Sequence, residues 1–231
     1  NVDVITIVAN NVFLSLGDGS NDFVSLTNGR GAFLITSGPG GGLAGALSAA
    51  VAVNIPGITL SGTFGVELNN TLVDVNESFK IGDETVDLIV PAGPYVRVFA
   101  ADASLTVFGQ TLSAERFEFE QSRDAESQRV VRVIAVGVEL HLGDGTNDFL
   151  AVTEGGALLE INSAGLAGFV SAKFDLNIPP TDPIVSAHSD NVTVQINNRL
   201  QIAEFDPVLL DEIFGVDRFV PDSLPAGPYL R

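Results

Sequence analysis

Two short segments hold most of the chemistry this sequence could perform. Gly17-Asp18-Gly19-Ser20-Asn21-Asp22-Phe23 and Gly143-Asp144-Gly145-Thr146-Asn147-Asp148-Phe149 each crowd two carboxylates and a side-chain amide into one tight turn. Asp18, Asn21 and Asp22, with Asp144, Asn147 and Asp148, are hard oxygen donors of the kind Ca²⁺ gathers in sets of six to eight. Neither segment has the ligand spacing or terminal Glu of an EF-hand loop. The other reading is a hairpin corner, in which glycine supplies a positive φ and Asp or Asn bonds its own backbone. Turn chemistry alone accounts for every residue, and calcium remains the one cofactor expected at these six positions.

The remaining inventory is thin. The chain has no Cys, Met or Trp and only two histidines, His141 and His188. Disulfides, thiolate metal sites and a Cys nucleophile are therefore excluded. No Gly-x-Ser-x-Gly elbow is present. Glu118 and Glu120 could pair as a glycosidase does. Their alternation with Phe117 and Phe119 instead suggests a solvated strand face, and no enzyme is expected. The only tyrosines, Tyr95 and Tyr229, follow two copies of Pro-Ala-Gly-Pro. A glycan platform would need exposed aromatic clusters, so packing over the turn, with the hydroxyl bonded to a nearby carbonyl, is expected for both. With 29 acidic and 11 basic residues the net charge is −18, which argues against nucleic acid as a partner. The longest apolar runs, such as residues 43–53, are too short and too rich in Ala and Gly to span a bilayer as a helix.

The elements that position these residues are repeated. The glycine-aspartate turn recurs at an offset of 126 residues. Gly42-Leu43-Ala44-Gly45 returns as Gly165-Leu166-Ala167-Gly168, and Asn54-Ile55-Pro56 as Asn177-Ile178-Pro179. Leu68-Asn69-Asn70 returns as Ile196-Asn197-Asn198. Pro91-Ala92-Gly93-Pro94-Tyr95-Val96-Arg97 returns as residues 225–231. Five matches in the same order define two units of roughly 130 residues, which is domain size and not the size of a solenoid turn. The first unit is expected over 1–126. The second is expected over 127–231, without a counterpart of residues 98–126, as in a piece cut out of phase from a longer array.

The periodicity is that of strands. Ile58, Leu60, Phe64, Val66 and Leu68 alternate with polar residues or glycine, which predicts one buried and one wet face. Turn signals recur about every ten residues. The fold expected is all-β: two tandem antiparallel β-sandwich or flattened-barrel units. The small residues of 43–53 predict a close approach of another layer. At most one helix is expected, near 207–214. Asp206 would cap it, Pro207 would open it, Leu209, Leu210 and Ile213 would face the core, and Gly215 would end it.

With these motifs in hand, the whole chain resembles the tandem β-rich modules of very large, acidic, cysteine-free bacterial surface or extracellular proteins. The resemblance implies an extracellular or cell-surface location and a structural role as stalk, adhesin or filament, stiffened by calcium. The implied partners are neighbouring copies of the same repeat. Two alternatives stand beside it. In one, a fibre subunit is completed by strand exchange, with strands 98–126 as the surplus. In the other, the chain is a glycan-binding sandwich.

Overall fold

The computed structural model describes residues 3–124, 127–144, 146–178 and 185–230. Gly145 of the second turn, Pro179 of the second Asn-Ile-Pro, Arg231 and residue 126 at the expected unit boundary lie outside the described residues, as does the side chain of Tyr229. The fold is all-β and antiparallel, with sandwich-like layering and one short helix among the described residues.

The chain begins with four long strands, β1 (Val4–Gly17), β2 (Asp22–Thr36), β3 (Gly42–Ile55) and β4 (Ile58–Asn69). It then leaves the sheet for a hairpin, β5 (Val75–Ile81) and β6 (Glu84–Val90). It returns as β7 (Tyr95–Val107) and β8 (Gln110–Arg123) and runs on through β9 (Arg129–Gly143), β10 (Asp148–Asn162), β11 (Gly165–Ile178) and β12 (Val185–Asn197). A second excursion comprises β13 (Ala203–Glu204), α1 (Pro207–Phe214) and β14 (Ser223–Leu224). The two-residue strand β15 (Tyr229–Leu230) then pairs with β12. The main sheet has eleven strands in the order β1-β2-β3-β4-β7-β8-β9-β10-β11-β12-β15 and does not close into a barrel.

The last long strand of the first repeat therefore pairs with the first strand of the second. β8 and β9 are matched from Thr111 opposite His141 to Arg123 opposite Arg129. The two repeats share one sheet. Residues 98–123 are not spare strands at an end, because β7 lies between β4 and β8, and β8 between β7 and β9.

Each excursion folds back onto the same face of the sheet. In the first repeat Val75, Val86, Leu88 and Val90 of the hairpin pack on Ala32 and Ala44, with Val8, Leu34, Ala46 and Phe79 around them. The small side chains of β3 thus mark a close approach, as the sequence suggests. In the second repeat Leu210 and Ile213 of α1, with Phe205 and Leu224, pack on Ile134, Leu158 and Phe169. Phe169 is enclosed by Phe205, at a centroid distance of 4.9 Å, and by Phe214, at 6.4 Å. The helix has the predicted ends: the Asp206 carboxylate accepts from the Val208 amide, Pro207 opens the first turn, and Gly215 closes it at φ 82°. Hairpin and helix are two solutions to one problem, the covering of an apolar patch of sheet.

The repeated motifs meet at one corner in each unit. Asn69 is 1% exposed. Its Nδ2 donates to the Val73 and Pro91 carbonyls, and its Oδ1 accepts from the amide and hydroxyl of Thr71. Asn197 repeats the clamp on the Gln201 and Pro225 carbonyls and the Arg199 amide. Next in sequence, Asn70 Oδ1 accepts from the Leu43 amide, and Asn198 Oδ1 from the Leu166 amide, both at 2.6 Å. A Cβ on Gly93 would lie 2.0 Å from the Asn69 carbonyl oxygen, and one on Gly227 would lie 1.8 Å from that of Asn197. Glycine is the one residue that fits at either place. The recurrence of Gly-Leu-Ala-Gly, Asn-Asn and Pro-Ala-Gly-Pro is the recurrence of one hydrogen-bonded staple, which fixes where the chain leaves the sheet and where it returns.

Asn69→Ala removes the buried acceptor of the Thr71 amide and the donors to the Pro91 and Val73 carbonyls, of which Val73 keeps only the Thr71 hydroxyl. It is expected to lower the unfolding free energy by about 2–4 kcal/mol. Asn54→Ala, on an exposed hairpin end, should stay within about 0.5 kcal/mol. Urea denaturation of the two variants checks this.

Candidate functional site

The glycine-aspartate turns join β1 to β2 and β9 to β10. In the first, Asp18 Oδ1 accepts from the amides of Ser20 at 2.8 Å and Asn21 at 2.9 Å, and the Asp18 amide donates to the Asn21 carbonyl. In the second, Asp144 Oδ1 accepts from the Thr146 and Asn147 amides at 2.9 and 2.8 Å. These backbone hydrogen bonds hold both carboxyls below the ordinary Asp range, since amide donors favour the charged form. Within each turn the first Asp is joined to the Asn, Asp18 to Asn21 and Asp144 to Asn147. Asp18 and Asp144 bond within their turns, while Asp148 reaches across to His141 Nδ1 at 2.8 Å. Among the described residues no group of three or more His, Asp or Glu side chains is arranged to hold a metal ion.

Tyr95 is buried, and its hydroxyl donates to Glu67 Oε2 at 3.2 Å. Burial first, and then the Glu67 charge, push the phenol above its usual range. The ring is packed, as expected, although its partner is a carboxylate and not a carbonyl.

The most constrained polar cluster is one the sequence reading places wrongly. Glu118 is 5% exposed, whereas Phe117 and Phe119 beside it are 47% and 42% exposed. The expected solvated face of β8 is the covered face. Register explains why. On that side of the sheet one cross-strand row reads Val8, Ala32, Ala46, Glu67, Arg97, Glu120, Arg132, Glu160, Ala167. Five consecutive strands, β4 to β10, contribute charges of alternating sign. The row passes between the area under the hairpin and the area under the helix, where neither covers the sheet with apolar groups.

The side chains along this row are joined. Arg97 donates to Glu118 through Nε at 2.9 Å and Nη2 at 2.8 Å, and through Nη1 to Glu67 at 3.2 Å. Its guanidinium lies 4.7 Å from the centroid of the Phe99 ring. The Glu118 hydrogen bonds raise its pKa despite burial. Arg116 sits 3.1 Å from Glu118 and 2.5 Å from Glu212 of α1, which ties the helix to the seam. Arg132 on β9 spans the junction, 3.4 Å from Glu120 on β8 and 2.9 Å from Glu160 on β10. Burial opposes the Arg132 charge, and Glu160 and Glu120 outweigh it. At the offset of the glycine-aspartate turns, the first-repeat counterparts of Arg132 and Glu160 are Thr6 and Leu34. These charges therefore belong to the junction and not to the repeat in general. Alternating Glu and Arg on facing strands was the available signal, but without the register it could not be read as one line.

Chemically the cluster is a brace. Glu118 pairs with Arg97 and Arg116, and Glu120 with Arg132. No family model, curated protein or solved structure matches the chain.

Glu118→Gln leaves Arg97 and Arg116 without a buried counter-charge. Because both arginines keep partial solvent contact, the expected loss of stability is about 2–4 kcal/mol, little changed by added salt, since a buried pair is poorly screened. Denaturation at low and high ionic strength checks both parts. For Asp18 and Asp144 the folded pKa lies below the unfolded one. Their contribution is present above the unfolded value and fades as pH falls through the folded value. Asp18→Asn combined with Asp144→Asn should therefore flatten the acid limb of a stability-against-pH curve.

Proposed function

We propose that this chain is a structural module of an acidic, extracellular or cell-surface β-array, in which units of roughly 130 residues add strands to one continuous ribbon. The observation that carries the reading is the pairing of β8 with β9, which makes the repeat junction as fully hydrogen-bonded as the interior of either unit. A string of separate domains would flex at such a point. Here the backbone ladder and the Arg132 bridge run straight through it. The net charge of −18 favours solubility and extension of a long array through self-repulsion. Neighbouring copies of the repeat are the natural partners, because β1 ends the sheet with a 14-residue edge and an open edge is a template for a further strand.

Calcium is the accessory part of this proposal. It is supported by the recurrence of two carboxylates and an amide in each turn, at Asp18, Asn21 and Asp22 and at Asp144, Asn147 and Asp148, with Asp18 and Asp144 kept ionised.

A shared sheet predicts that the repeats unfold together. The chain has no Trp, so Phe79→Trp under the hairpin and Phe214→Trp in the helix give clean fluorescence reporters. Both should report the same denaturation midpoint, and Glu118→Gln should lower both equally. Separate midpoints would show independent domains and sink the ribbon reading. Melting in EGTA and in millimolar Ca²⁺ tests the accessory part through the rule for ligands that bind only the folded state. A rise removed by Asp18→Asn with Asp144→Asn supports calcium, and superimposable curves remove it.

A further inference from the structure

Among the described residues, none packs over the second face of the main sheet. Its cross-strand rows are apolar from one end of the sheet to the other. One reads Ala9, Gly31, Leu47, Val66, Val98, Phe119 and then Val133, Leu159, Gly168, Ile196. The next reads Ala49, Phe64, Ala100, Phe117, Ala135, Ala157, Val170 and Val194. Past the bulges of β7, β8 and β9 the pattern continues through Leu60, Leu105, Leu112, Leu140 and Val152. No residue in these rows is charged. The strand carboxylates and guanidinia of the seam, Glu67, Arg97, Glu118, Glu120, Arg132 and Glu160, all belong to the opposite face. The larger side chains of these rows stay accessible, Val98 at 49%, Leu47 at 45% and Val170 at 44% exposed, while Ala49 and Ala135 lie low between them at 8% and 7%.

We infer that this face is an interface with a second copy of the chain, the two sheets packing face to face about a two-fold axis near β8. Three observations select that occupant. The first is area. Ten long strands at about 4.8 Å spacing, each about 12 residues at about 3.3 Å, present roughly 2,000 Å². A stable complex needs about 800 Å² from each partner, and a monomer rarely exposes more than a few hundred Å² of contiguous apolar surface. The second is shape. β8 is the sixth of eleven strands, and its exposed Phe117 is flanked across the sheet by Ala100 and Ala135. A central ridge with a shallow groove on each side is self-complementary under two-fold rotation, as an isologous interface requires. The third is charge. A chain carrying −18 would repel its own copy through an acidic face, whereas the rows of this face carry no carboxylate, its charged cross-strand pair being Arg123 and Arg129 at the end of the β8–β9 ladder. Stacked sheets at about 10 Å would bury both apolar layers and leave every seam carboxylate on the outside. This contact is distinct from strand addition at the β1 edge and does not rest on it.

The experiment is light scattering on the purified chain across a concentration series, with Val98→Lys and Phe119→Lys as face variants. Both side chains point away from the covered core, so circular dichroism should be unchanged. The wild type should be a dimer, and each lysine should raise the apparent dissociation constant by about 100-fold or more, because it buries an unpaired charge. The cysteine-free background adds a second readout that tolerates an unstable lysine variant. Phe117→Cys should form an intermolecular disulfide on mild oxidation, whereas Asn11→Cys at the β1 edge should not. A wild type that stays monomeric throughout overturns the inference. So does a dimer unaffected by the face variants and cross-linked through Asn11→Cys, or a monomer that binds phosphatidylcholine vesicles in place of itself.

Discussion

The pairing of β8 with β9 is the contact on which the rest of the molecule depends. Antiparallel backbone hydrogen bonds lock strand register, and register decides which side chains face one another over many strands. Because the ladder runs unbroken from one repeat into the next, side chains as far apart in sequence as Val8 and Ala167, with Glu67 and Arg132 between them, fall on a single line. The covered face, the ion-pair seam and the bare apolar face all inherit their continuity from this junction. A slip of one residue at β9 would send Arg132 to the apolar side and Val133 and Val131 into the seam.

The two faces are then used in opposite ways. On the covered face each repeat places a small layer of its own chain over an Ala- and Leu-lined patch, a hairpin in one case and a helix in the other. The staple built on Asn69 or Asn197 sets the exit and return points, so the loop between them is free to vary in structure while the sheet stays constant. Between the two covers a strip of sheet remains that neither covers with apolar side chains. It is filled with alternating Glu and Arg, which satisfy one another where an apolar strip would need a third cover. Buried ion pairs contribute less to stability than to specificity of arrangement. Here the alternation of sign allows one register between β8 and β9 and penalises the others.

The apolar face poses the opposite problem. A strand of alternating character must place its apolar set somewhere, and ordinarily that side is the core. In this chain the covered side already holds a core, made from the smaller residues, and the larger set of Val, Leu, Ile and Phe looks outward. Second copies packing through that side would turn a ribbon with one bare face into a two-layer slab whose surfaces are acidic, consistent with an array that stays soluble while resisting bending.

Local chemistry was legible in the residues themselves. The repeat, the all-β class, the helix over 207–214 with its cap at Asp206 and stop at Gly215, and the turn character of Gly17–Asp22 each depend on a few neighbouring residues. The close approach over β3 could be read from its alanines and glycines, since only small side chains admit another layer. What the sequence could not decide was which face of each strand would be covered. Alternation marks two faces without naming the inner one, and the usual assumption that carboxylates face water put Glu118 and Glu120 on the wrong side. That choice is made by where the excursions after β4 and β12 fold back, and by the register that lines up Glu67, Arg97, Glu120, Arg132 and Glu160. Both are long-range consequences of strand pairing, so only the tertiary structure settles them.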